Sequence, residues 1–386
     1  MLWFDESNEL IRQLNQTGGE LQDRRNNASR QLKARLAVAS HYMREQLIPV
    51  AYDTPVTLQL ELTYACNLKC VMCYNNSGGA DKRPAELTDD QWFAVAEEAC
   101  KNGLLEAIIS GGEPFLRKDL VFRLLELFRK YRVQMHLVTN GFYVTAEMAR
   151  KLSEYEFGFL QVSIDGHTAE IHDRVRGVPG SWDRATRALQ LLASRGICCR
   201  VAHTCVKFSY KHIGEMVDLA IGLGARMAIV GRVIAQGRGS GVKAEEELLL
   251  NEEEELEYWH ICDAVRAASG KYIQFLHGND SAHSLVESHL QPNWAVVVRP
   301  NGDARIGCLA PFIFGNVAQQ SILDLWRNGV SKAFRHPEVV SYIREVISDG
   351  ELAAVRRLDL SPTQESKLIS FDGTQEAASE ACFVAR

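Results

Sequence analysis

The chain has 386 residues, of which 46% are hydrophobic, so it can bury a sizeable core and build one large domain with appendages. Lys+Arg is 43 against Asp+Glu 49, a net charge of −6, which argues against a basic nucleic-acid footprint. No apolar run approaches the ~20 residues of a membrane span, and the start, Met-Leu-Trp-Phe-Asp-Glu, lacks the basic and apolar regions of an export signal.

Residues 1–50 read as a polar, helix-prone extension broken at Gly18-Gly19. Within it, Leu32, Leu36, Val38, Tyr42 and Leu47 suggest an amphipathic helix, lying on the main domain or on a partner. From Val56 a strand–helix alternation begins. Val56–Leu62 is a strand, and Thr88-Asp-Asp-Gln91 is a capping box opening a helix to about Lys101. Strands are predicted at Leu105–Ser110, Gln134–Thr139, Phe159–Ile164, Cys198–Val206 and Arg226–Gly231, with helices at Asp119–Tyr131, from Thr145, at Ser181–Ser194 and to Leu223. Such alternation implies right-handed βαβ units and a parallel sheet. Six units are too few for a closed eightfold barrel, so the fold class is α/β, an open (β/α)6 partial barrel over 51–240.

Past residue 240 the pattern changes. The acidic clusters Glu245–Glu247 and Glu252–Glu255 read as a solvated loop and a helix start, with Asn251 capping a helix to about Ala268. Tyr272–His277 looks like a further strand. Trp294–Arg299, Pro300-Asn301-Gly302-Asp303 and Ala304–Gly307 read as a β-hairpin. Residues 241–345 are taken as a small α+β cap and 346–386 as a polar tail without a clear period.

The chemistry is concentrated in Cys66-Asn-Leu-Lys-Cys70-Val-Met-Cys73-Tyr74. Cysteine thiolates are the usual ligands of iron–sulfur clusters, and four of them close an electron-transfer site. Three can hold three irons of a [4Fe–4S] cube and leave the fourth iron free to bind a small molecule. A structural zinc site wants four ligands in paired knuckles, and no fourth Cys or His lies close by in sequence. The remaining cysteines show no disulfide framework, which fits a reducing cytoplasm.

This motif, ending on an aromatic residue, resembles that of the radical S-adenosylmethionine (SAM) superfamily. Ser110-Gly-Gly-Glu113-Pro114, Thr139-Asn140-Gly141 and Val162-Ser163-Ile164-Asp165-Gly166, followed by His172-Asp173 and Arg176-Gly177, are similar to further motifs of that family. The resemblance implies one [4Fe–4S] cluster on Cys66, Cys70 and Cys73, with SAM chelated to the open iron. Reductive cleavage of SAM would then give a 5′-deoxyadenosyl radical that abstracts hydrogen. It implies SAM contacts from Tyr74, Gly111, Gly112, Glu113, Asn140 and Ser163, with Glu113 accepting from the SAM ammonium and the glycines letting backbone approach it. Every motif follows a strand, where ligands bind in parallel α/β sheets.

The hairpin with Cys308, Gly315-Asn316-Val317 and Leu323-Asp-Leu-Trp326 looks like the start of the SPASM or twitch extension of such enzymes. That extension usually supplies several more cysteines, but this chain offers only Cys308 and Cys382, so no auxiliary cluster is expected. Cys308 has three readings: an inert relic, a hydrogen donor to a substrate radical, or a ligand of an unexpected cluster. Arg200, His203, Arg232, Gln236, His277 and Arg299, on or after later strands, are candidates for the cavity mouth, and Arg176 for an anion clamp or an ion pair. The resemblance implies hydrogen abstraction from a ribosomal peptide, giving a crosslink or an epimer. A sugar or aminocyclitol epimerase or dehydrogenase, and a non-catalytic cluster protein, are the alternatives. An external donor such as flavodoxin or ferredoxin would supply the electron.

Overall fold

The computed structural model describes residues 2–14, 20–45, 47, 49, 51–79, 83–278, 281–358 and 366–369. Two helices come first, α1 (Leu2–Leu14) and α2 (Glu20–Arg44). The alternating series then runs β1 (Thr57–Glu61), α3 (Asp89–Lys101), β2 (Glu106–Ser110), α4 (Lys118–Tyr131), β3 (Gln134–Thr139), α5 (Ala146–Leu152) and β4 (Phe157–Ser163). It continues through α6 (Ala169–Arg176), α7 (Ser181–Ala193), β5 (Cys199–Cys205), α8 (Ile213–Gly222), β6 (Met227–Arg232), α9 (Val242–Glu247), α10 (Glu252–Ser269) and β7 (Gln274–His277). Last come α11 (Ser281–His289), β8 (Ala295–Val298), β9 (Asp303–Arg305), β10 (Phe312–Asn316), α12 (Ile322–Asn328), α13 (Pro337–Asp349), α14 (Glu351–Arg357) and β11 (Lys367–Leu368). No helix of the described residues is long and apolar enough to cross a membrane.

The chain divides into two compact units. One joins Met1–Thr57 with Asn279–Val298 and Gly302–Arg386; the other joins Leu58–Gly278 with Arg299–Asn301. The cuts drawn from sequence at 50, 240 and 345 do not coincide with this division.

In the larger unit the strands lie in the order β1-β2-β3-β4-β5-β6-β7, and β2 through β7 pair in parallel. The alternation therefore extends one strand past the expected six. Tyr272–His277 was drawn outside the barrel, yet β7 pairs with β6 from Met227↔Gln274 to Val230↔His277. The long glycine-rich and acidic stretch between β6 and α10 hides this last βαβ unit. The helices form where expected because their signals are local. Thr88 caps α3 with both hydrogen bonds of the capping box, and Asn251 does the same for α10. On α4, Leu120, Val121, Leu124, Leu125 and Phe128 recur at helical spacing and are all buried.

In the other unit, α1 packs on α2, α11 and α13, and Arg35 of α2 pairs with Glu287 of α11. The buried face of α2 is Leu32, Leu36, Ser40 and Met43; Val38, Tyr42 and Leu47, expected on it, are exposed. Positions 32, 36, 40 and 43 follow the i, i+4 row of a helix, and 38 and 42 lie off it. The hairpin is present, with β8 and β9 antiparallel, β10 antiparallel to β9, and β11 parallel to β10. The stretch 346–386, expected as a polar tail without a clear period, starts in the last turn of α13 and continues into α14. Gly18-Gly19 and Cys382 lie outside the described residues.

Candidate functional site

The loop after β1 carries the three cysteines, and contacts from far along the chain give it its shape. Lys69 N donates to Arg176 O (3.0 Å) and Val71 N to Val175 O (2.9 Å), so the end of α6 lies alongside the loop. Gly177 takes φ +70°, and a Cβ there would stand 2.6 Å from Lys69 O. Arg238, just after β6, is the second support. Its Nε donates to Cys70 O (2.6 Å), Nη1 to Asn76 Oδ1 (2.8 Å) and Nη2 to Ser77 O (2.9 Å), and its backbone N to Cys73 O (3.0 Å). Gly237 before it has φ +55°, and a Cβ would meet Tyr74 O at 2.4 Å.

Each of the three sulfurs has a donor nearby. Leu68 N points at Cys66 Sγ and Ser77 N at Cys73 Sγ, both at 3.4 Å, and Arg176 Nη1 lies 3.5 Å from Cys70 Sγ. Asn140 Nδ2 is 3.8 Å from Cys66 Sγ and 3.0 Å from Asn67 Oδ1. Burial pushes the Cys66 thiol up to about 12, reinforced by the neighbouring Cys70, Glu113 and Cys73. Cys70 is raised by burial too, against the lowering influence of Arg176. Arg176 is itself buried and pairs through Nε with Asp165 Oδ2 at 2.5 Å. Asp165, fully buried, also accepts from Thr204 N at 2.8 Å.

The Gly-Gly-Glu-Pro segment departs from its expected geometry. Glu113 is fully buried and its carboxylate is satisfied from within: it accepts from Phe115 N (3.1 Å), Thr139 Oγ1 (2.9 Å) and Asn140 N (2.9 Å). Burial raises it to about 7. Its carboxylate thereby ties the turn after β2 to the turn after β3. The glycines serve a contact on the chain's own side. A Cβ on Gly112 would stand 2.2 Å from Ala65 O, and one on Gly111 3.0 Å from Leu62 N. Gly112 N donates to Thr63 O (2.7 Å) and Glu113 N to Ala65 O (2.9 Å), docking this turn on the cysteine loop.

The cysteine loop closes one end of a cavity of about 360 Å³ inside the strand cylinder. Gly111, Gly112, Asn140, Ser163 and Tyr74 line it. Tyr74 is held by its hydroxyl, which donates to Glu61 Oε1 at 2.6 Å. Of the later-strand candidates, Arg200 and Arg232 line the cavity, as does Arg176, whereas His203, Gln236, His277 and Arg299 do not. Strand alternation explains His203: Arg200, Ala202 and Thr204 face inward, so His203 faces the other way, near Asp165 (3.9 Å). Asp165 lies past the end of β4 and pairs with Arg176. Arg299 Nη2 donates to Asn75 Oδ1 at 2.5 Å, a structural link to the cysteine loop. His277 stacks edge-on against Trp259, with centroids 4.9 Å apart.

Arg238 went unnoticed in the sequence, although Gly237-Arg-Gly-Ser-Gly241 after a strand was a signal for a shaped backbone. Cys308 belongs to the other unit, where it is half-buried and its carbonyl accepts from Arg305 Nη2 at 3.2 Å.

Residues 60–220 match the family model described as Radical SAM superfamily. The chain is 30% identical over 313 residues to the mycofactocin maturase MftC of Mycolicibacterium smegmatis, covering 80% of this chain and 77% of that protein. It is 28% identical over 298 residues to the PqqA peptide cyclase of Methylocella silvestris, covering 75% and 79%. The fold is similar to that of Streptococcus suis SuiB bound to S-adenosylmethionine, with a TM-score of 0.59 at 16% identity over 92% of this chain and 83% of that one.

Proposed function

The chain belongs to the radical SAM superfamily, and from that premise we propose that it abstracts hydrogen from a ribosomally made peptide and leaves it crosslinked or epimerised. The observation that carries the substrate class is similarity over 80% of this chain to a mycofactocin maturase, joined by similarity to a PqqA peptide cyclase. Members of the family use a [4Fe–4S] cluster and S-adenosylmethionine, which when bound supply a carbon radical able to take hydrogen from a substrate.

The donor set fits such a cluster. Three thiols on one loop each have an N–H donor within 3.5 Å, and a buried guanidinium stands beside Cys70. Cys66, Cys70 and Cys73 would hold the metal. Because burial keeps Cys66 and Cys70 protonated when metal-free, loading must displace their protons. Arg176 and the N–H donors offset the negative charge that then develops. Ser110, Gly111 and Gly112 offer backbone, and Ser163 a hydroxyl, to SAM at the carboxyl ends of β2 and β4. Tyr74, fixed by Glu61, shields that end of the cavity, and Asn140 orients the Cys66–Asn67 turn. Glu113 is a positioning residue. The hairpin β8–β9 with β10 and α12 is the counterpart of the extension that follows the barrel in such enzymes, and Cys308 within it is a candidate hydrogen donor. An external one-electron donor such as flavodoxin or ferredoxin completes the reaction.

The test is anaerobic incubation with SAM, reductant and candidate precursor peptides, taken from any short reading frame found next to the gene. A crosslink appears as loss of a hydrogen pair, and an epimer as uptake of solvent deuterium. An unchanged peptide, with SAM cleaved at the same rate whether or not peptide is present, would contradict the reading.

A further inference from the structure

Among the described residues, four arginines and no aspartate or glutamate line the cavity. Arg176 is paired with Asp165, and Arg232 Nη1 with Glu255 Oε1 at 2.5 Å. Arg238 spends its guanidinium on the cysteine loop. Arg200 is the exception. Its Nε donates to Gln161 Oε1 at 2.8 Å, and the guanidinium carbon sits 3.3 Å from the centroid of the Phe159 ring. Among the described residues, no carboxylate pairs with it and no acceptor engages its two terminal nitrogens. Glu106 acts on it only through space, because that carboxylate is taken by His136 Nε2 at 2.6 Å. Burial draws Arg200 down to about 10, as a cation short of solvent and counter-charge should be.

The setting is a polar layer in the middle of the strands. Val138, Gln161 and Arg200 stand at one register level, and Gln59 Nε2 donates to Ser110 Oγ at 3.1 Å within the same cavity. Arg200 precedes Thr204 by four residues on β5, roughly 13 Å at 3.3 Å per residue, so it lies below the carboxyl end of that strand. With Nε occupied and one face on an aromatic ring, what remains free is the terminal edge of the fork, the edge that takes a carboxylate through two parallel hydrogen bonds.

We infer that Arg200 receives a carboxylate of the substrate, either an acidic side chain or the carboxyl terminus of a peptide, and that Phe159 and Gln161 hold the guanidinium in position for it. The inference deepens the peptide reading and rests on it for the kind of molecule that enters.

Three probes differ only in where the charge sits: N-acetylglutamic acid α-amide (side-chain carboxylate), N-acetylglutamine (terminal carboxylate) and N-acetylglutamine amide (neutral). Their binding to the reconstituted, SAM-loaded protein is measured by ligand-detected NMR. One charged probe should bind the wild type at least about tenfold more tightly than the neutral one. Which one does so identifies the source of the carboxylate. Arg200→Met should erase that preference while iron content and SAM affinity stay at wild-type values. Should that variant fail to hold the cluster, Arg200→Gln, which keeps a donor toward Gln161, takes its place with the same expectation. Equal binding of all three probes to the wild type, or a preference that survives in the variant, would overturn the inference. The two readings fail separately. Arg200-dependent probe binding with no peptide turned over removes the peptide reading alone. A peptide turned over with the same KM by wild type and Arg200→Met removes the clamp alone.

Discussion

Replacing Arg238 by methionine should loosen the cysteine loop without unfolding the barrel. The side chain makes three hydrogen bonds to that loop, to Cys70 O, Asn76 Oδ1 and Ser77 O at 2.6, 2.8 and 2.9 Å. Hydrogen bonds from a charged donor contribute about 1.5–3 kcal/mol each. The three share one rigid fork and a partly buried site, so they do not add fully, and about 3–4 kcal/mol is a reasonable loss for the set. At about 1.4 kcal/mol per factor of ten, the open loop becomes roughly 10²–10³ times more populated. The assay is the rate at which a ferrous chelator strips iron from the reconstituted protein, with thermal unfolding as the control. Arg238→Met should lose iron about a hundredfold faster, with little change in the unfolding of the metal-free protein. Arg238→Lys, a point charge without the fork, should fall between. A chelation rate within about threefold of wild type would refute the view that Arg238 holds the loop closed.

Gly112→Ala drives a Cβ to 2.2 Å from Ala65 O and should cost about 1–3 kcal/mol, read as a lower melting temperature and less iron bound per chain. Asp165→Asn leaves the buried Arg176 charge uncompensated and should cost about 3–5 kcal/mol in urea unfolding. Arg176→Met/Asp165→Asn together should recover part of that loss. Burial holds His172 and His289 neutral down to about 4, below their ordinary 6.5. Their folded values lie below their unfolded ones, so each subtracts stability as pH falls from 6.5 toward 4, by about 1.4 kcal/mol per pH unit. Glu113, raised to about 7, works the other way: its contribution is greatest below its ordinary 4.5 and is lost as pH rises through 7. His289→Asn, which keeps a donor toward Phe334 O, should flatten the acid limb of urea unfolding by one histidine's share, and an unchanged limb would contradict the assignment.

What could be read from the sequence was what is encoded locally. The Thr88 and Asn251 capping boxes, the strand Gln134–Thr139 and the cysteine loop each announce themselves within a few residues, and each is where it was expected. What stayed hidden depends on partners distant in sequence. Nothing near Arg238 says that its guanidinium ends on residues 70, 76 and 77. The resemblance implies a ligand contact for Glu113 but says nothing of its partners within the chain. Its side chain turns inward because Thr139 and Asn140 N, one strand along, offer donors in a dry environment where an unmet carboxylate would be costly. Gly111 and Gly112 line the cavity, and their lack of a Cβ also lets the chain's own backbone at Ala65 and Leu62 approach, which the motif alone does not tell. The seventh strand was seen but misplaced, since only its pairing with β6 shows that it belongs to the barrel.

The central claim is that the cysteine loop and the cavity beside it perform reductive cleavage of S-adenosylmethionine. The most direct measurement is 5′-deoxyadenosine formed by the anaerobically reconstituted protein with SAM and dithionite, beside a variant with Cys66, Cys70 and Cys73 replaced by alanine. The account predicts 5′-deoxyadenosine from the wild type and none above background from the variant. Equal amounts from both, or none from a wild type that holds its cluster and binds SAM in the presence of peptide, would contradict it.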